Sequence, residues 1–219
     1  KHEDALKDVP NKGDHVIILG GDNYRIGMGG SSVSSLDTGE LANAIELNAI
    51  QRSNPEMQKR AANAIRAMVE SDKNYIISIH DHGAGGHLNC LSELVEETGG
   101  KIDLDALPIG DTSLSAKEII GNESQERMGL VIDEQHLEEL LKIAERERAP
   151  FYDVGVITSD MNFSFESSKD GSKPIDMKLN HYFGSSPKTI MIDSREEANF
   201  SNLTYNTDNL LEYISSVLQ

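Results

Sequence analysis

Residues 75–86 read Tyr-Ile-Ile-Ser-Ile-His-Asp-His-Gly-Ala-Gly-Gly, an apolar run followed by a cluster of glycines. Its first five residues form an apolar, β-branched run that is typical of a buried strand. Three glycines within residues 83–86 then allow a sharp turn. Apolar residues recur at helical spacing over 88–95. The stretch therefore predicts a strand, a glycine turn and a helix, with His80 and Asp81 at a junction where open α/β sheets bind ligands.

Strands and helices alternate along the rest of the chain. Strands are predicted at 15–20, 75–79, 102–107, 127–132, 154–157 and 163–165, and helices at 55–71, 88–95, 113–120, 137 to near 150, and 209–218. The last two strands are expected to pair at the end of the sheet, before a hairpin turn at 167–173, whereas residues 31–50 carry no clear pattern. This order predicts a layered α/β (α+β) fold, a mixed sheet flanked by helices.

The chain divides into three predicted segments. Residues 1–12 are charged and aperiodic and read as a linker, and 13–179 hold the alternating elements of one lobe. Residues 180–219 become rich in Ser, Pro, Lys and Asn before an amphipathic helix. We expect this last segment to be a linker and helix leading to a neighbouring domain, so the chain would be a piece of something longer.

Charge and composition argue against several classes of partner. The formal net charge is −17, which disfavours binding to nucleic acid and to anionic membranes. No run approaches the roughly 18 apolar residues of a membrane helix, and no signal peptide is recognisable. The single cysteine, Cys90, suits a reducing compartment, so a cytoplasmic location is expected.

The turn invites a metal-site interpretation. His80, Asp81, His82, His87 and Cys90 cluster in sequence, but their spacing fits no structural zinc pattern. A carboxylate beside a glycine turn suits Mg²⁺ better, because Mg²⁺ commonly takes one or two carboxylates together with phosphate oxygens. Asp81 is therefore the candidate magnesium ligand. Cys90 follows a helical apolar pattern and is interpreted as a core residue.

Three other polar stretches are candidate ligand sites. The glycine-rich loop 20–30 matches neither a P-loop nor a dinucleotide fingerprint, and a tight connection is as good an interpretation as a phosphate cradle. Gln51 and Arg52 precede a helix N-terminus, where an anion could bind, although the residues alone favour a solvated cap. The run 122–127 is unusually polar for the start of a buried strand, which favours a ligand site.

Four motifs in chain order resemble one family. They are Gln51-Arg-Ser-Asn-Pro-Glu-Met57, His80-Asp-His-Gly-Ala-Gly-Gly86, Asn122-Glu-Ser-Gln-Glu-Arg127 and Glu147-Arg-Ala-Pro150. Over residues 13–192 the chain resembles the synthetase region of the phosphoribosylformylglycinamidine synthase family. That resemblance implies a lobe like the C-terminal domain of aminoimidazole ribonucleotide synthetase, here the C-terminal lobe of the first synthetase half.

The resemblance also implies an activity and its site residues. The family's ATP-dependent ligase converts formylglycinamide ribonucleotide and glutamine-derived ammonia into the amidine in de novo purine biosynthesis, with Mg²⁺ and ATP. By motif, Gln51, Glu123, Ser124 and Gln125 would bind the substrate and Asp81 would bind Mg²⁺, while no catalytic residue is assigned. The remaining synthetase and glutaminase domains are the implied partners, and the isolated chain is expected to be inactive.

Two alternatives stay open. A lobe of another enzyme of the same superfamily would share the fold but should lack the Asn-Glu-Ser-Gln-Glu-Arg run at 122–127. A non-catalytic interaction module would bind a protein partner and neither nucleotide nor Mg²⁺. The sequence also departs from the family at His82 and His87, where relatives usually carry aliphatic residues.

Overall fold

The computed structural model describes residues 7–123, 126–184, 187–194, 200–204 and 206–218. Contacts group the chain into two compact units, Lys1–Gly184 and Ser185–Gln219. The sequence-based division after residue 179 remains a prediction, and in the structure Leu179 is buried in the core of the first unit.

The secondary structure is as follows. The strands are β1 (His15–Gly20), β2 (Ile76–Asp81), β3 (Gly100–Asp103), β4 (Arg127–Ile132), β5 (Phe151–Ile157), β6 (Asn162–Glu166) and β7 (Ile175–Lys178). The α-helices of the first unit are α1 (Gly30–Val33), α2 (Asn43–Ala49), α3 (Pro55–Val69), α4 (Gly86–Leu94), α5 (Ala116–Ile120), α6 (Leu137–Glu147) and α7 (Leu179–Tyr182). In the second unit, α8 spans Leu210–Val217.

The described strands form one seven-stranded sheet in the order β2-β4-β1-β5-β3-β6-β7. β3 and β6 pair in parallel, and the other neighbouring strands pair antiparallel. The sheet is therefore mixed, and the predicted fold class is confirmed.

Strand β1 lies inside the sheet and is buried on both faces. Val16 and Ile18 belong to the apolar cluster that includes α4, whereas Ile17 and Leu19 belong to the cluster that includes α3 and α6. All four side chains are fully buried. Because successive side chains of a strand point to opposite faces, the continuous run Val-Ile-Ile-Leu holds helices on both sides of the sheet.

Two helix starts follow from local capping. At α3, Pro55 occupies the first turn and the Asn54 side chain accepts a hydrogen bond from the backbone N–H of Met57 at 3.1 Å. At α5, Ser115 and Glu118 form a reciprocal capping box. The helix predicted from residue 113 therefore begins at Ala116, after this cap.

Two predictions about the strands are wrong. The strands at 154–157 and 163–165 do not pair with each other, because β3 lies between β5 and β6. The strand predicted over 102–107 ends at Asp103, whose carboxylate accepts a hydrogen bond from the backbone N–H of Asp105 at 3.0 Å and opens a 3₁₀ turn. The predicted hairpin turn is confirmed, since β6 and β7 are antiparallel neighbours.

The unassigned residues 31–50 contain α2 and most of α1. Within these two helices only Ala49 is buried, so no apolar stripe marks them in the sequence. None of the helices in the described part of the chain has the length and apolar character that crossing a membrane requires.

Candidate functional site

The glycine turn joins β2 to α4 as the sequence predicts. Gly85 and Gly86 have φ angles of +79° and +60°, in the left-handed region that favours glycine. A Cβ on Gly86 would collide with the backbone of Asn122, so the turn is pressed against the second polar motif. The His82 backbone N–H donates a hydrogen bond to the carbonyl of Arg127 at 3.2 Å. Two motifs that are 40 residues apart in the chain thus form one structural unit.

Asp81 is the last residue of β2, and its side chain is 74% exposed. It lines a cavity of about 600 Å³ together with Glu126, beside the first turns of α3. Two carboxylates on an open cavity can offer oxygens to a hard cation such as Mg²⁺, which takes its other ligands from water or phosphate. The described residues contain no group of three or more His, Cys, Asp or Glu able to hold a metal. A magnesium ion held here would therefore need ligands besides Asp81 and Glu126.

His80 precedes Asp81 in β2 and contacts α4. Its Nε2 contacts the carboxylate of Glu93, and its Nδ1 lies 3.1 Å from the carbonyl oxygen of Asp81. The imidazole thereby joins the end of β2 to α4 and holds the backbone of Asp81 in place.

Glu123 connects the glycine-rich loop to the turn. Its Oε2 accepts a hydrogen bond from the backbone N–H of Ser31 at 2.9 Å, and its Oε1 accepts from the Ser31 hydroxyl at 3.0 Å. The same Oε1 accepts from the backbone N–H of Gly85 at 3.1 Å. Only 4% of Glu123 is exposed. The carboxylate is thus fixed by three donors and can position both loops around a ligand.

Gln51 lies next to Glu123. This is the arrangement expected of two residues that would bind the same substrate. Its Nε2 donates a hydrogen bond to the carbonyl oxygen of Glu123 at 2.9 Å. Both residues line a second cavity, of about 510 Å³, whose other walls include Ser31 and the Gly83-Ala84 turn. Ser124 and Gln125, the other two residues assigned to substrate, lie outside the described residues.

Asn122 and Arg127, at the two ends of the run 122–127, are bonded to protein groups. Nη2 of Arg127 donates to the carbonyl oxygen of Asn122 at 2.6 Å, and Nη1 donates to the side-chain oxygen of Asn23 and to Nε2 of His87, the latter at 3.0 Å. Arg127 is 2% exposed, and burial lowers the pKa of its guanidinium to about 10. The side chain stays charged at neutral pH because these acceptors replace water.

His82 and His87 form a buried pair that the sequence does not assign to any role. His82 Nε2 lies 2.9 Å from His87 Nδ1, with the rings edge to face. Burial and the nearby charge of Arg127 lower the pKa of both imidazoles well below the usual value, so both are neutral at physiological pH. His82 lines both cavities. The signal for this pair in the sequence is one histidine on each side of the glycine turn.

The glycine-rich loop 20–30 supports the site through its backbone. Gly20 has a φ angle of +125°, and a Cβ there would collide with the carbonyl oxygen of Glu126. The Asn122 side-chain amide donates a hydrogen bond to the carbonyl oxygen of Tyr24 at 2.7 Å. These contacts match the tight-connection interpretation of the loop, which forms part of the wall around Glu123.

Cys90 is a core residue, as predicted. It is 1% exposed, and burial raises the pKa of its thiol to about 12. A thiol that stays protonated is a poor nucleophile and a poor metal ligand.

Comparison with known proteins identifies the family. Residues 11–167 match the family described as "AIR synthase related protein, C-terminal domain". The chain belongs to this family. A curated relative from Dictyostelium discoideum, named phosphoribosylformylglycinamidine synthase, is 40% identical over 196 residues, or 87% of this chain. The resemblance drawn from the four motifs is therefore confirmed.

Two solved structures share the fold. Thermotoga maritima PurL complexed with FGAR matches with a TM-score of 0.73 and 25% identity, covering 95% of this chain and 35% of that one. The same protein complexed with ATP matches with a TM-score of 0.66 and 21% identity, covering 97% of this chain and 33% of that one. The chain spans only 14% of the Dictyostelium relative, so it corresponds to one part of a much larger protein.

Proposed function

We propose that the chain is the C-terminal lobe of the first synthetase half of a phosphoribosylformylglycinamidine synthase. In that role it would help convert formylglycinamide ribonucleotide, glutamine-derived ammonia and ATP into formylglycinamidine ribonucleotide in the cytoplasm. The family membership, the name of the Dictyostelium relative and the four motifs support this assignment. The remaining synthetase and glutaminase domains would complete the active site and supply ammonia.

One observation carries the proposal. Two neighbouring cavities share a common wall at His82, which directly precedes the glycine turn. One cavity is lined by Asp81 and Glu126, and the other is lined by Gln51 and Glu123. A residue assigned to metal and two residues assigned to substrate thus lie around neighbouring cavities at one sheet end. A ribonucleotide with a phosphate at one end is the kind of ligand that would use both.

The chain's own residues would bind and orient the substrate. Gln51, Glu123, Ser124 and Gln125 would hold the nucleotide, with the Glu123 carboxylate kept in place by Ser31 and Gly85. Asp81 would share Mg²⁺ with phosphate oxygens, and Glu126 faces the same cavity. ATP, when bound, supplies the phosphoryl group that activates the substrate amide. The exposed Asp81 carboxylate suits an ion that also contacts groups outside this lobe.

Isothermal titration of formylglycinamide ribonucleotide tests the assignment, with and without Mg²⁺, in the 219-residue chain and in the full-length enzyme. The expected result is binding that Mg²⁺ strengthens. Asp81→Asn should abolish the strengthening, whereas Gln51→Leu should weaken binding with or without Mg²⁺. Asp72→Asn is the matched control, because it removes one carboxylate outside both cavities and should behave like the wild type.

Absence of binding in the full-length enzyme would contradict the proposal. Binding of a protein partner without any nucleotide or Mg²⁺ binding would support the interaction-module alternative. Mg²⁺-dependent binding that survives in Asp81→Asn would leave the substrate assignment standing and overturn the metal assignment.

A further inference from the structure

Glu126 has a backbone conformation that its residue type disfavours. Its φ angle is +62°, in the left-handed region where a Cβ atom is crowded. In the described part of the chain, three other residues that are not glycine share this region. Arg148 is the C-cap of α6, and Ser159 and Met161 lie in the short connection from β5 to β6, so capping and turning explain them. Glu126 instead directly precedes β4, at the wall of a cavity.

The sheet holds Glu126 in this conformation. Its carbonyl oxygen accepts a hydrogen bond from the backbone N–H of Gly21 at 3.4 Å. The same oxygen lies so close to Gly20 that a Cβ there would collide with it, and Gly20 pairs with Arg127 across β1 and β4. The register of these two strands therefore determines the backbone of Glu126. Disfavoured conformations that the surrounding structure imposes cluster at sites where a side chain binds a ligand.

The carboxylate of Glu126 is available to a ligand. Glu126 lines the cavity of about 600 Å³ that contains Asp81 and also a further cavity, of about 260 Å³. Asp22, the other carboxylate of the smaller cavity, accepts a hydrogen bond from the Tyr152 hydroxyl at 2.7 Å, and Glu123 is held by three donors. No hydrogen bond or ion pair from the described residues reaches the Glu126 side chain. Both of its oxygens can therefore accept from a bound molecule.

We propose that Glu126 is a specificity-determining residue whose two carboxylate oxygens accept hydrogen bonds from the vicinal hydroxyls of a ribose. A carboxylate accepts two donors side by side, and acidic side chains bind ribose hydroxyls in this way in other nucleotide sites. The inference rests on the proposed function, because the substrate named there is a ribonucleotide. ATP carries the same pair of hydroxyls. The substrate is the expected source, because Gln51 and Glu123 line the adjoining cavity.

Glu126→Gly removes the carboxylate and leaves a residue that suits a positive φ angle. Ser159→Gly is the matched control, since Ser159 has a φ angle of +59° and lies outside the three cavities. In urea, neither variant of the 219-residue chain should unfold at a lower midpoint than wild type. A lower midpoint in Glu126→Gly alone would show that the carboxylate stabilises the fold, and would overturn the proposal.

The ribose contact is measured with paired ligands. Isothermal titration compares formylglycinamide ribonucleotide with its 2′-deoxyribose analogue in the full-length enzyme. Wild type and Ser159→Gly should bind the ribonucleotide about tenfold more tightly than the analogue, whereas Glu126→Gly should bind the two within about twofold. ATP and 2′-deoxy-ATP form the second pair. The pair whose ratio changes in Glu126→Gly identifies the ribose that Glu126 binds.

The outcomes are distinct. Ratios that are the same in wild type and Glu126→Gly for both pairs would overturn the proposal and leave the proposed function standing. Unchanged ratios together with a loss of the strengthening by Mg²⁺ would instead make Glu126 a metal ligand, which also overturns the proposal. Absence of wild-type binding to the substrate would overturn the proposed function as well.

Discussion

The backbone of Asn122 occupies the space into which a side chain on Gly86 would project. This contact holds the glycine turn against the second polar motif. Gly86→Ala should therefore destabilise the protein by about 3 kcal/mol, because a positive φ angle and a backbone collision add together. The free energy of unfolding in urea measures the effect.

Gly29→Ala is the matched control for this substitution. Gly29 has a φ angle of +61°, almost identical to the +60° of Gly86, but a Cβ there would have nothing within 4 Å. Its cost should be about 1–2 kcal/mol, the backbone contribution alone. Equal losses in the two variants would show that the collision with Asn122 is relieved at no cost.

Arg127 should tolerate no conservative replacement. In Arg127→Lys a single ammonium replaces the forked guanidinium, which contacts Asn23, His87 and Asn122 together. We expect the free energy of unfolding to fall by about 3 kcal/mol. Arg66→Lys, at a side chain that is 73% exposed, should change stability by less than about 0.5 kcal/mol. Similar values for both variants would contradict the importance of the buried fork.

Glu118 should make stability depend on pH in the acid range. The Ser115 backbone N–H and hydroxyl, followed by Arg25, lower the pKa of this carboxyl from 4.5 to about 2. A lowered pKa contributes stability that is complete above the ordinary value and is lost as the pH falls towards the lowered one. The stability difference between wild type and Glu118→Gln should thus shrink from pH 5 to pH 2 in urea titrations. A difference that stays constant would refute this assignment.

Cys90 should be unreactive in the folded protein. With its pKa raised to about 12 and 1% of its surface exposed, almost no accessible thiolate exists at pH 8. Ellman's reagent should react slowly with the native chain and fast, with one equivalent, in denaturant. Rapid modification of the native chain would show that α4 opens readily.

Local sequence patterns predicted most of the helices and strands but not which strands pair with each other. The strand at 15–20 and the helix from Pro55 were predictable because their apolar periods and caps lie within the segments themselves. The pairing of β5 with β6 was predicted wrongly. Short connections favour hairpins, but here β3, which lies about 50 residues earlier in the chain, pairs with both strands and separates them. Only the contacts of the assembled sheet specify that insertion.

The candidate site was predictable in part, for a similar reason. The neighbouring positions of Gln51 and Glu123 agree with the motif assignment, although the role of each in substrate binding remains a prediction. The buried contact between His87 and Arg127 joins two residues that are 40 positions apart in the chain. The hydrophobic periodicity of a sequence gives no information about a contact of this kind.

The strand order has a consequence for synthesis on the ribosome. β1 pairs with β4 and β5, β2 pairs with β4, and β3 pairs with β5 and β6, so in the described part of the chain none of the first three strands pairs with another. The nascent chain therefore exposes three unpaired strands until Arg127–Ile132 leaves the exit tunnel. Until then α3 and α4 have no sheet to cover, and unpaired apolar strands of this kind favour edge-to-edge aggregation.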